Sequence, residues 1–263
     1  MNDETTYKVP NVWKWQSKSE DMWADINRPT AGSRYEKELS VGEQPIQLYS
    51  LGTANSIKVA VMLEELIELG HSGAKYDKHP INIFKGDQFS SGFVEINPNS
   101  KIPAIVDHSM SPPLPVFESG AILMYLAKKF DAFFPDDPAE QAKCLSWLFW
   151  QVGGAPYIGN FGYFYKFAPE KHEFAIDRVT MEVKRQLDLV DQHLASHEYL
   201  CGDSYTIADI ALWPWCMALI DNGYGAYEFL EMESYKHVIR WVKQIGERSG
   251  AQKGYSHRTI PYD

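Results

Sequence analysis

Three short stretches hold residue types that could do chemistry. In SLGTANSIKV (50–59), Thr53 and Asn55 stand where a strand pattern gives way to a helix pattern. A hydroxyl and an amide there would add two donors to the free N–H groups of a helix end and so hold an anion. Helix capping asks for the same residue types. In VFESGAI (116–122), Glu118 and Ser119 occupy a second strand-to-helix turn. That helix end suits a carboxylate, with the Ser119 hydroxyl as a further donor and Glu118 as an acceptor for an amine. A plain cap is again the alternative. The third stretch is IPAIVD (102–107), where Pro103 heads a run with the make-up of a core strand. A proline cannot donate to a β ladder and belongs at an edge, an end or a bulge.

The elements that position these residues fall into three parts. Residues 1–45 read as a polar N-terminal arm in which Trp13, Trp15 and Trp23 lie among charges, a composition that suggests docking. Residues 46–130 alternate strand and helix signals. IQLYSL is a strand, and Lys58–Leu69 is a helix with Val59, Met62, Leu63, Leu66 and Leu69 on one face. IPAIVD and PVFE are two further strands around a Pro-rich turn, and GAILMYLAKKF is a helix. That order makes a small α/β domain. Residues 131–138 read as a linker, and 139–263 as an all-helical domain. Within it, Ile176, Val179, Val183, Leu187, Val190 and Leu194 mark one long amphipathic helix. Thr206 and Asp209 have the spacing of a capping box, with Tyr205 and Ile210 as its hydrophobic staple. Tyr157, Tyr163 and Tyr165 fall in an aromatic, Gly-rich stretch read as a loop, either a wall of the site or core filling.

Composition narrows the function classes. A net charge of -10 argues against nucleic acid as a partner. No apolar run is long enough for a membrane span, and MNDETTYK has no apolar leader, so a cytoplasmic location is expected. Cys144, Cys201 and Cys216 form no CxxC pair, which fits a reducing compartment, and the eight histidines make no metal motif, so no metal is assigned.

Taken together, SLGTANSIKV, GDQFSSGFVEINPNSKIPAI, VFESGAILMYLA and GDSYTIADIALWPW resemble the glutathione transferases over roughly residues 46–250. The first motif, the long arm and INRP (26–29) look like the Nu-class, disulfide-reductase-like members. The resemblance implies an α/β plus all-α fold, a thioredoxin-like domain followed by an all-helical one, with the cleft between them. It implies a cis Ile102–Pro103 bond, with the Ile102 backbone turned toward the cysteinyl unit of glutathione. Glu118 and Ser119 would hold the γ-glutamyl end, Lys101 and Gln88 the glycyl carboxylate, and Asn27 would cover the site. Arg178 would reach the ligand from the long helix, where an exposed salt bridge is its rival role; Lys101 could equally be a solvated surface lysine.

Where thiol-disulfide oxidoreductases of this fold carry CxxC, this chain has Thr53-Ala54-Asn55-Ser56. The thiol must then come with the ligand, and Thr53 and Asn55 would lower its pKa as hydrogen-bond donors. The expected activity is reduction of small disulfides, with glutathione as co-substrate and no enzyme cysteine. Conjugation to electrophiles, peroxide reduction, or a non-catalytic regulatory module are the alternatives. The resemblance also implies a homodimer packed through residues 139–154, where CLSWLFW supplies apolar surface, and the edge of the α/β domain.

Overall fold

The computed structural model describes residues 8–16, 26, 28–221 and 223–258. Four strands, β1 (Ile46–Ser50), β2 (Tyr76–Pro80), β3 (Ala104–Asp107) and β4 (Leu114–Phe117), form one sheet in the order β2-β1-β3-β4. β1 and β2 run parallel, while β1–β3 and β3–β4 are antiparallel. Side chains alternate between the two faces of the sheet. Ile46, Leu48 and Ile105 enter the main core with α1 (Ala54–Glu68) and α3 (Ser119–Phe130). Tyr49, Ala104 and Val106 pack on the other face with Phe93 of α2 (Ser91–Ile96). β2 was not visible in the sequence. Its residues, YDKHP, form a half-exposed edge strand and so carry no apolar alternation.

The described arm residues refine the docking expectation. Trp13 and Trp15 are 62% and 40% exposed, so they do not anchor the arm. Its hold lies further on. Arg34 stacks 3.3 Å over the Phe89 ring, Ser91 N–H donates to the Tyr35 carbonyl, and Tyr49 OH donates to that of Ser40.

The helical part starts at α4 (Pro138–Gly162), where Asp137 caps the backbone N–H groups of Ala139 and Glu140 and proline fills the first turn. α4 continues into a π-turn, Tyr163–Phe167, so Tyr157, Tyr163 and Tyr165 belong to helical backbone, not to a loop. Here the glycines sit at close helix contacts. A Cβ on Gly162 would lie 2.4 Å from Tyr224, and one on Gly154 3.0 Å from Gln186. α5 (Glu173–Leu194) buries the stripe read from the sequence from Val179 to Leu194, with Ile176 half-buried, and α6 (Ile207–Ile220) carries the expected capping box. α7 (Lys236–Gly246) and α8 (Ser249–Tyr255) complete the fold.

α8 returns to the first domain and packs along α1. Arg248 makes a two-pronged ion pair with Glu65, at 2.7 and 2.8 Å, and lies over the Tyr205 ring. With α6 also packed on α1, the two domains share one continuous core. Among the described residues no helix is long and apolar enough to cross a membrane.

Candidate functional site

The heads of α1 and α3 meet at one cleft between the domains. Thr53 precedes α1 in extended backbone, and its side chain makes no capping bond; its hydroxyl lies 3.2 Å from Ser56 Oγ. Asn55 is better fixed. Its Oδ1 accepts from Trp215 Nε1 of α6 at 3.3 Å and from Ser119 Oγ at 3.5 Å. That leaves the amide NH2 to donate, and no described residue accepts from it. Glu118, just before α3, holds φ at +69°, a conformation non-glycine residues rarely adopt. Such backbone costs about 1–3 kcal/mol and persists where surroundings over-determine it.

Two adjoining cavities share Asn55, Glu118 and Ser119. One, of about 230 Å³, is completed by Asn97, Asn99, Lys101, Ile102 and Pro103. The other, of about 190 Å³, runs under α4 and α6 and is completed by Lys58, Val152, Ala155, Pro156 and Trp215. The Ile102–Pro103 bond is cis. β3 pairing begins only at Ala104, and neither the N–H nor the C=O of Ile102 is bonded to another described residue. Asn97 Nδ2 donates to the Lys101 carbonyl at 2.6 Å and braces the turn that presents Ile102.

Six of the residues singled out in the sequence, Asn55, Lys101, Ile102, Pro103, Glu118 and Ser119, therefore line one cleft. Thr53 lies two residues before Asn55 and lines neither cavity. Gln88 is buried, with its amide donating to the Ile83 carbonyl at 3.3 Å, and it too stays out of the lining. Arg178 is exposed on α5 and makes no salt bridge to a described residue; its guanidinium sits 5.7 Å from the centre of the Tyr157 ring. Asn27 lies outside the described residues.

Sequence reading passed over Lys58, Gln151 and Trp215. Lys58 is 1% exposed, yet its ammonium reaches the cavity and donates to Gln151 Oε1 at 2.7 Å and Ser119 Oγ at 3.3 Å. Burial pulls that ammonium down to about 7, against the opposing pull of the Glu118 charge. A signal was present. Ile57, Val59, Ala60, Val61 and Met62 surround Lys58 with apolar residues, which leaves no polar face for a lysine to occupy. Pro156 and Trp215 share a similar logic. Proline inside α4 removes the bond to the carbonyl four residues back, that of Val152, which also lines the cavity.

All three cysteines are free, and none lines the cleft. Among the described residues no group of His, Cys, Asp or Glu is arranged to hold a metal ion.

Residues 44–128 match the family model for the glutathione S-transferase N-terminal domain, and 173–244 that for the C-terminal domain. Disulfide-bond oxidoreductase YghU of Escherichia coli is 54% identical over 253 residues, covering 95% of this chain and 88% of its own. The chain belongs to the glutathione S-transferase family. Within it, Escherichia coli YfcG, also named a disulfide-bond oxidoreductase, is 40% identical over 77% of this chain and 91% of its own. The crystal structure of a Streptococcus pneumoniae glutathione transferase, YghU, complexed with glutathione superposes with a TM-score of 0.92 at 49% identity, covering 95% of this chain and 97% of that one. A Pseudomonas putida glutathione transferase with one glutathione disulfide per subunit gives 0.76 at 38% identity, over 82% and 93%. The family's N-terminal domain with its small mixed sheet and its helical C-terminal domain are both present here.

Proposed function

We propose that this chain reduces small disulfides with the thiol of bound glutathione. One observation carries the reading: a cleft with the ingredients of a thiol-disulfide site, helix head and cis-proline together, has no cysteine on its lining. The nucleophile then arrives with the ligand. The relatives named disulfide-bond oxidoreductases and the neighbours crystallised with glutathione support the same assignment.

In this reading the unpaired N–H and C=O of Ile102 take the cysteinyl backbone of glutathione. Ser119 and Glu118 hold the carboxylate and ammonium of its γ-glutamyl end, and Lys101 at the rim meets the glycyl carboxylate. The free NH2 of Asn55, the Thr53 hydroxyl and the head of α1 stabilise the thiolate. That thiolate attacks one sulfur of the substrate disulfide, forming a mixed disulfide and expelling the second sulfur, which takes a proton from solvent. A second glutathione then attacks the mixed disulfide, giving glutathione disulfide and the second reduced thiol. Exposed Arg178, beside Tyr157, is suited to steady that second molecule, while Gln88 acts through the backbone it braces. Three free thiols and a glutathione-dependent reaction fit the cytoplasm.

Assembly is part of the proposal. Phe149 on α4 is 65% exposed and Phe117 on the edge strand β4 is 37% exposed, which supports a homodimer across these two elements. Light scattering at micromolar concentration should give twice the chain mass. The activity is tested by turnover of a simple organic disulfide against conjugation to an aryl halide, both with glutathione. Disulfide reduction should dominate. Conjugation without disulfide turnover would overturn the reading.

A further inference from the structure

The glutathione reading leaves one charged group of the cleft without a task. Lys58 is buried, it makes no salt bridge with any described residue, and its ammonium lines the cavity beneath Ser119. Buried lysines without an ion pair are rare, because the charge loses its hydration and gains little in exchange. The helical domain reaches across to hold it. Gln151 of α4 turns its carbonyl to the ammonium, at 2.7 Å, and as a consequence its buried Nε2 has no acceptor among the described residues. A site that strands one buried donor to fix another buried cation holds that cation in place for a reason other than stability.

The groups facing this ammonium come from four elements. Its own helix, α1, contributes the amide of Asn55. The β4–α3 turn contributes the Glu118 carboxylate and the Ser119 hydroxyl. Gln151 and the apolar Val152 come from α4, and the Trp215 indole from α6. Glu118 is the one charged group among them. This cavity therefore presents one cation and one anion, with the Ser119 hydroxyl beside the cation, while Lys101 lines the adjoining cavity. The chemical complement is a carbon bearing both a carboxylate and an ammonium.

Resting on the glutathione reading, we propose that Lys58 is the specificity-determining residue for the γ-glutamyl end, its ammonium matching the ligand's α-carboxylate while Gln151 fixes its position. Lys58 donates to Ser119 Oγ, and the long 3.5 Å bond from that hydroxyl to Asn55 Oδ1 can be exchanged for one to the same carboxylate. A ligand lacking that carboxylate leaves the ammonium unmatched in the interior, and the site rejects it. The proton on Lys58 is held weakly before the ligand arrives, since burial brings the group down to about 7. Affinity for the carboxylate ligand should then fall as pH rises through neutrality, approaching about 10-fold per unit once the ammonium is mostly neutral.

The test is calorimetric titration of the full chain with two ligands, between pH 6 and 8. One is S-methylglutathione, which has no titrating thiol. The other is its analogue with 4-aminobutyrate in place of the γ-glutamyl residue, which lacks only the α-carboxylate. Wild type should prefer S-methylglutathione by roughly 10- to 100-fold at pH 6, with the preference shrinking about 5- to 10-fold by pH 8. Lys58→Met should lose most of the preference and all of its pH dependence, with far-UV circular dichroism reporting its fold. Should that variant fail to fold, the wild-type profile decides alone. Binding of S-methylglutathione with a preference that is pH-independent in wild type, or unchanged in Lys58→Met, would overturn the role of Lys58 and leave the glutathione reading standing. Failure of wild type to bind S-methylglutathione at all would overturn both.

Discussion

Asp209 and Lys58 are both buried charged side chains, at 0% and 1% exposure, and their surroundings treat them in opposite ways. Asp209 accepts from Leu200 N–H, Thr206 N–H, the Thr206 hydroxyl and Trp241 Nε1, all between 2.9 and 3.1 Å. Burial pushes its carboxyl upward, and these donors pull it back. It ties the start of α6 to the loop before it and to α7, and it lines neither cavity of the cleft. Lys58 has two acceptors for three N–H groups and opens onto a cleft. A buried charge whose bonding capacity is filled by the chain holds the fold together. One left with capacity to spare, beside a cavity, is placed for a ligand.

The strongest way to break the comparison is at Asp209. Replacing it with alanine strands up to four donors in the interior, and unsatisfied buried groups cost roughly 1–3 kcal/mol each, less where they relax. The expected loss is about 3–5 kcal/mol, read as a lower urea midpoint at an unchanged slope. Activity per folded molecule should remain. A loss of turnover in the folded fraction would mean that Asp209 also serves the cleft.

Lys58 should behave the other way in its response to pH. Its value in the folded chain, about 7, lies below the ordinary 10.5, so between these the unfolded chain binds more protons. Unfolding free energy therefore rises with pH in that window, and the full penalty of the buried ammonium applies below pH 7. Measured against Lys58→Met, wild type should gain roughly 2 kcal/mol of relative stability between pH 7 and 9, at about 1.36 kcal/mol per unit. Parallel curves would show that Lys58 does not titrate in this range.

The same two residues mark how far the sequence could be read. The capping box of Asp209 was legible because its members lie three residues apart, and that spacing has one good use at a helix start. Its bond to Trp241 was not, since 32 residues separate them and no local pattern links the two. The α1 and α3 heads were legible because local backbone chemistry makes them, whereas the cis bond at Pro103 was expected only through the family resemblance. Lys58 and Gln151 depend on how α4 lies across α1, which no stretch of sequence encodes alone. For Arg178 and Gln88 it was the family resemblance that implied contact with a ligand; the fold leaves one exposed beside Tyr157 and the other bonded to the Ile83 carbonyl.

A smaller effect is expected at the head of α1. Losing a donor to the thiolate costs about 1.5–3 kcal/mol, enough to raise the thiol's pKa by ~1–2 units. A more basic thiolate is also a better nucleophile, with a Brønsted coefficient of about 0.4–0.5, so about half of the loss returns. Thr53→Ala should therefore lower disulfide turnover roughly 3- to 10-fold near neutral pH, with KM for glutathione little changed. Asn55→Ala should do more, because Asn55 also holds Trp215 and Ser119. Absorbance of bound thiolate against pH checks both. An unshifted titration with both residues replaced would assign the effect to the helix end alone.

The smallest expected effect sharpens the contrast from the side of the thiols. Cys144 and Cys216 are 0% and 2% exposed, and the half-buried Cys201 lies 3.4 Å from Thr206 Oγ1. Burial pushes the Cys216 thiol up to about 12, so it is protonated at neutral pH and a poor nucleophile. Cys144 and Cys201 hydrogen-bond to each other, which draws Cys144 down and drives Cys201 up. Neither reaches the cleft. A chain carrying Cys144→Ala, Cys201→Ser and Cys216→Ala should lose some stability, about 1 kcal/mol or more at each buried site. Its disulfide turnover per folded molecule should stay within about twofold of wild type, since in the proposed mechanism the reacting sulfur belongs to the ligand. A folded triple variant without turnover would place an essential thiol in the protein and remove the observation on which the proposed mechanism rests.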